Sequence, residues 1–143
     1  MNVFTHPYRL LLIDDDESIF NLIKRYVDLR YEGLFVIDYC QTLDEAKKYL
    51  EDEEKNFHVA FVDIHLDGGK KPWSVVEEML STNRGIQIVA LSGDETLITT
   101  LECYTNGFRY FINKPVDRKK VYDILDRCAD HLNYWHELVK TRL

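Results

Sequence analysis

Four short stretches of this chain carry residues suited to phosphoryl chemistry, and each stands just after an apolar run. Asp14, Asp15 and Asp16 follow residues 9–13, Asp63 follows residues 59–62, Ser92 follows residues 86–91, and Lys114 with Pro115 follows residues 110–112. Carboxylates crowded together repel one another and call for a cation. Hard oxygen donors suit Mg²⁺, which binds through one or two carboxylates, waters and phosphate oxygens. A carboxylate such as Asp63, held among these groups, can act as a nucleophile and form an acyl phosphate. A lysine ammonium and a serine hydroxyl can offset charge on the transferring oxygens, and positioning with electrostatics carries most of such a reaction. Each residue alone has a plainer reading. An Asp after a strand commonly forms a turn, Asp16 and Ser18 fit a helix cap, and Lys-Pro is a common loop. All four together are harder to explain as turns.

The elements that must position these residues alternate along the chain. Strands are expected at 9–13, 35–39, 59–62, 86–91 and 110–112. Between them, residues 18–30 place Ile19, Ile23, Tyr26 and Val27 on one helical face, and residues 43–50, 73–80 and 96–106 supply three more helices. Pro72 suits the first turn of the third helix, Gly107 stops the fourth, and a long fifth helix starts near Asp117. Strict alternation predicts an α/β fold, a doubly wound five-stranded parallel sheet with helices on both faces. In that architecture chemistry gathers at the carboxyl ends of the strands, where all four stretches fall.

Bulk composition narrows the function. The 143 residues suit one domain. A net charge of −7 with scattered Lys and Arg argues against a direct nucleic-acid contact; Lys119-Lys120 reads as a solvated helix face. Cys40, Cys103 and Cys128 form no CxxC pair, so reduced thiols are expected rather than a disulfide framework or zinc site. The N-terminus lacks the pattern of a signal peptide, and no apolar run approaches the roughly 20 residues a bilayer span needs. A cytoplasmic protein without membrane contact is expected. Gly69-Lys70 fails as a phosphate loop, because Ile64 and Lys71 stand where Gly and Ser or Thr are required. His131 and His136, five apart, do not share a helix face as a metal pair would, and are expected to be solvated.

The segments Leu11-Leu12-Ile13-Asp14-Asp15-Asp16-Glu17, Val62-Asp63-Ile64-His65-Leu66, Ala90-Leu91-Ser92-Gly93 and Phe111-Ile112-Asn113-Lys114-Pro115 closely resemble the receiver domain of two-component response regulators. The resemblance covers residues 8–129 and implies a flavodoxin-like (βα)5 fold with strand order 2-1-3-4-5. Residues 1–7 would be an N-terminal arm, and 130–143 an extension of the last helix. Asp63 matches the phosphoacceptor, taking its phosphoryl group from a sensor histidine kinase or phosphotransfer protein in a Mg²⁺-dependent relay. Asp15 matches the direct metal ligand, Asp14 the water-mediated one, and the His65 backbone carbonyl a further ligand. Ser92 and Lys114 match the hydroxyl and ammonium that hold the phosphoryl group, and Phe111 the aromatic that rotates inward afterwards. His65 and Asp94 occupy positions that tune the rate. The resemblance implies a signalling phosphoacceptor, not a turnover enzyme, with self-catalysed phosphorylation and dephosphorylation only.

The chain departs from the family after Asp63. Asp67 stands where the family usually has Pro, and Gly68-Gly69-Lys70-Lys71-Pro72-Trp73 replaces the rest with a one-residue insertion. Trp73 is open to partner contact or to core packing. Two alternatives remain. An aspartyl phosphohydrolase of haloacid dehalogenase type would use Asp14 as nucleophile and Asp16 as acid, but lacks its later acidic pair and cap domain here. A receiver-like interaction module would not be phosphorylated. In the last helix Val121, Leu125, Cys128, Leu132, Trp135 and Val139 form a heptad seam. It predicts pairing with a second copy, a lead into an output domain, or extra turns folded onto the same domain. Tyr104, Phe108 and Tyr110 are candidates for a partner face; output domain and target are not encoded in these residues.

Overall fold

The computed structural model describes residues 4–66 and 68–143, so Asp67 and residues 1–3 of the expected arm lie outside it. Among the described residues five strands and five helices alternate: β1 (Tyr8–Ile13), α1 (Glu17–Arg30), β2 (Phe35–Cys40), α2 (Leu43–Glu51), β3 (Phe57–Asp63), α3 (Trp73–Thr82), β4 (Gln87–Ser92), α4 (Leu97–Thr105), β5 (Tyr110–Asn113) and α5 (Arg118–Lys140). The strands pair in parallel in the order β2-β1-β3-β4-β5. The doubly wound, flavodoxin-like arrangement is the observed one.

Period-two alternation divides the sheet's side chains between two cores. Leu10, Leu12, Phe61, Val89 and Leu91 pack with Ile19, Ile23 and Val27 of α1 and Val121, Leu125 and Cys128 of α5. Leu11, Ile13, Ala60, Val62 and Ile88 pack with Ala46 of α2, Val75, Val76 and Met79 of α3, and Cys103 of α4. Because both faces are covered, the central strands read as unbroken apolar runs. β3 begins earlier than its apolar run suggested. The β1–β3 register shifts between Arg9 and Leu10, and there His58 Nδ1 accepts the Arg9 N–H at 2.9 Å, replacing a ladder bond.

Side-chain caps start three of the helices. Asp16, Thr42 and Thr96 accept backbone N–H groups from Ser18, Glu45 and Thr99, each satisfying a donor the helix leaves open. Pro72 sits one position ahead of α3, not inside its first turn. Gly107 ends α4 at φ 91°, and a Cβ there would lie 2.5 Å from Leu80 Cδ1. Gly107→Ala is expected to destabilise the protein by about 2–3 kcal/mol, combining left-handed strain with overpacking. A urea melt measures this, and a change below about 0.5 kcal/mol would contradict it.

α5 continues unbroken through residue 140. Val121, Leu125, Cys128 and Leu132 of the heptad seam are buried in their own domain, whereas Trp135 is 46% exposed. The Tyr8 hydroxyl donates to Asn133 Oδ1 at 2.8 Å, and the His6 and His136 rings lie 4.9 Å apart. The expectation of solvated histidines is therefore corrected. His131 and His136 are both half-buried: His136 packs against His6 and Tyr8 at the start of β1, and burial lowers the His131 pKa.

Candidate functional site

Parallel pairing brings the ends of β1, β3, β4 and β5 to one edge of the sheet. The Asp14 N–H donates to Cys40 O at 3.1 Å, Ile64 N–H to Leu91 O at 3.2 Å, and Lys114 N–H to Ser92 O at 2.8 Å. These bonds carry the ladder one residue past the strands and fix where the polar side chains leave the backbone. Asp14, Asp63 and Ser92 are buried there, while Asp15 is exposed.

The run of three acids divides by role. Asp16 caps α1, accepting the Ser18 N–H at 2.9 Å and hydroxyl at 2.6 Å. Asp14, Asp15 and Asp63 instead each present an oxygen to one point, the three atoms lying within 4.8 Å of one another. Lys114 Nζ sits 2.9 Å from Asp14 Oδ2 and 3.3 Å from Asp63 Oδ2. Burial opposes the ammonium's charge, but the two carboxylates outweigh it and raise its pKa. Burial pushes the Asp14 carboxyl up to about 6, against the Asp16 N–H and Lys114, with the Asp63 charge adding to the rise. Asp14 Oδ2 is enclosed, with the Lys114 ammonium 2.9 Å away. Three carboxylate oxygens within 4.8 Å of one another, with Lys114 bonded to two of the groups, leave negative charge that fits a hard divalent cation.

Ser92 and Asp94 link the site to α4. The Ser92 hydroxyl accepts the Asp94 N–H at 2.9 Å and donates to Asp94 O at 3.2 Å, so its bonds are made within its own loop. The Asp94 carboxylate accepts the Thr96 N–H at 2.8 Å and the Thr99 hydroxyl at 2.7 Å. The Thr96 N–H, then the Thr99 and Thr96 hydroxyls, hold its pKa down to about 2. Phe111 is half-buried against the second core and lines a hollow of about 160 Å³ with Cys103, Tyr104 and Phe108.

The loop after Asp63 closes tightly. Gly68 and Gly69 take positive φ values of 78° and 100°, and Leu66 and Lys70 exchange backbone hydrogen bonds. This brings the Lys71 ammonium 3.0 Å from His65 Nε2. Trp73 packs edge-on against Phe108 at 6.0 Å, choosing the core over an exposed role. Sequence reasoning missed both the Lys71–His65 contact and the Asp94–Thr99 bond. An Asp two residues before the Thr96 cap is a weak signal for the second; the first has no local signature.

Fold and site define a class: a doubly wound α/β module with a cation-ready acidic cluster at the sheet's carboxyl edge. The family model for the response regulator receiver domain matches residues 10–126. The chain belongs to this family. It is 28% identical to a putative NtrX-like response regulator of Rickettsia felis, over 85% of this chain and 25% of that protein. It is 27% identical to the CAI-1 autoinducer sensor kinase/phosphatase CqsS of Vibrio cholerae, over 79% of this chain and 16% of that one. The chain thus spans a quarter or less of the curated relatives it matches. A CheY-like receiver domain protein from Methanospirillum hungatei superposes with a TM-score of 0.76 at 20% identity, over 89% of this chain and 97% of that one.

Proposed function

We propose that Asp63 accepts a phosphoryl group from a sensor histidine kinase or phosphotransfer protein, in a Mg²⁺-dependent and self-catalysed step in the cytoplasm. One observation carries this reading: Asp63 is 5% exposed, shares one oxygen cluster with Asp14 and Asp15, and lies 3.3 Å from the Lys114 ammonium that also meets Asp14. Asp14, Asp15, Asp63 and the His65 carbonyl would hold the ion, which when bound neutralises charge on the phosphoryl oxygens. Lys114 pairs with the same oxygens, and the Ser92 hydroxyl leaves Asp94 to donate to one of them. Phe111 then follows inward, while His65 and Asp94 set the lifetime. Residues 8–129 carry this function, with 1–7 as an arm and 130–143 as a helical extension.

The partner face follows from α4. Leu97, Ile98, Leu101 and Tyr104 are 73%, 71%, 52% and 79% exposed, the kind of contiguous apolar surface that marks a contact site. Phe108 is withdrawn from the expected face, being buried against Trp73. Exposed Tyr134 and Trp135 are where a second copy would meet the last helix. No helix among the described residues is long and apolar enough to cross a membrane.

Incubation with Mg²⁺ and a small phosphodonor should add one phosphoryl group per chain, and beryllofluoride should bind in its place. No response in the wild type would favour a receiver-like module that is never phosphorylated. Metal binding should also be pH-dependent. The ion requires a charged Asp14, whose pKa is about 6, so Mg²⁺ affinity should fall about tenfold per pH unit below that value. The same raised pKa stabilises the metal-free fold fully below the unfolded value of 3.8, and this contribution is lost as pH rises through about 6. Calorimetric titration at several pH values checks the affinity; a flat profile across this range would count against the assignment of Asp14.

A further inference from the structure

Lys71 belongs to the loop that departs from the family, and its setting is specific. The Leu66–Lys70 backbone pair closes at 2.6 and 3.2 Å, which anchors the residue before it. The Lys71 ammonium lies 5.9 Å from the Trp73 ring centroid and 3.0 Å from His65 Nε2. Among the described residues no carboxylate lies within ion-pair distance of it. An ammonium only donates, so in this contact His65 Nε2 is the acceptor and its lone pair is occupied. The His65 backbone N–H meanwhile donates to Asp63 Oδ1 at 2.9 Å. His65 thus belongs to the loop after β3, bonded through its backbone to the proposed phosphoacceptor and through its ring to Lys71.

We infer that Lys71 is a positioning residue that holds the His65 ring in place and lengthens the life of phosphorylated Asp63. The inference rests on the phosphoacceptor reading above. In hydrolysis a water oxygen attacks phosphorus and the bond from phosphorus to the Asp63 oxygen breaks. The carboxylate leaves with the bonding pair, and the water's proton passes to solvent. Two consequences of the Lys71 contact slow this step. The ring is kept against Lys71 beside Asp63, where it limits water's approach, and its Nε2 lone pair, engaged by the ammonium, cannot accept a proton from the attacking water. Losing Lys71 removes both restraints, so both act in the same direction.

The test measures phosphate release at saturating Mg²⁺, after the chain has been loaded from a small phosphodonor and the donor removed. Lys71→Ala should release phosphate about fivefold faster than wild type, the loss of one modest hydrogen bond. Lys71→Arg, which keeps a donor, should stay within about twofold of wild type. In a His65→Ala background the Lys71→Ala change should add nothing, because there is no ring left to hold. An unchanged Lys71→Ala rate overturns the inference, as does an acceleration that persists undiminished without His65. Those results leave the phosphoacceptor reading standing, whereas a wild type that takes up no phosphate overturns both.

Discussion

Asp63→Asn is expected to take up no phosphoryl group from a small phosphodonor, with labelling at least about 100-fold below wild type. The argument is chemical. A carboxamide oxygen is a poor nucleophile, and Asn cannot form the acyl phosphate. The variant should still fold, since Asn keeps the size of Asp63 and can accept the His65 N–H that now reaches Oδ1 at 2.9 Å. It also removes one of the carboxylates that crowd within 4.8 Å, relieving repulsion with Asp14. Intact-mass measurement before and after the phosphodonor reads the result. Labelling of Asp63→Asn at native stoichiometry would instead make Asp14 the nucleophile, as in a haloacid dehalogenase-type phosphohydrolase.

Lys114→Ala should have the second largest effect, on rate and on stability together. Its ammonium lies 2.9 Å from Asp14 and 3.3 Å from Asp63, with Asp14 fully buried. Removing one partner of a buried pair leaves an uncompensated charge, costing about 3 kcal/mol near neutral pH. Removing a charged donor aimed at the transferring oxygens should slow phosphorylation about 100- to 1,000-fold. Mg²⁺ should recover part of the lost stability, because the cation binds the same carboxylates, and none of the lost donor geometry. Urea melts with and without Mg²⁺ separate the two effects, alongside the rate of labelling. A labelling rate near wild type would remove Lys114 from the reaction.

The sequence by itself determined the sheet and the residues at its edge. Local signals suffice for that. Apolar runs at 9–13 and 86–91 are recorded residue by residue, as are caps such as Thr42 and Thr96. Once the strands are known to be parallel, whatever follows each must emerge on one side. Asp14, Asp63, Ser92 and Lys114 could therefore be assembled before any distance was known. The triple acid run was less legible, since turn, cap and ligand all use Asp. Only packing separates Asp16, bonded to Ser18, from Asp14, enclosed beside Lys114.

Tertiary structure alone decided the contacts between residues far apart in the chain or across an irregular loop. Tyr8 reaches Asn133 over 125 positions, which ties the far part of α5 to the start of β1. The same chain geometry buries Phe108 and leaves Leu97, Ile98 and Leu101 outside, although all four are apolar. The Ser92 hydroxyl could be named as a donor, but not its present bond to the Asp94 backbone. Lys71 meets His65 because two glycines at positive φ fold the loop back. Periodicity carries no such information. It reports which face of an element is apolar, whereas register, helix crossing and loop closure set which side chain arrives at Asp63.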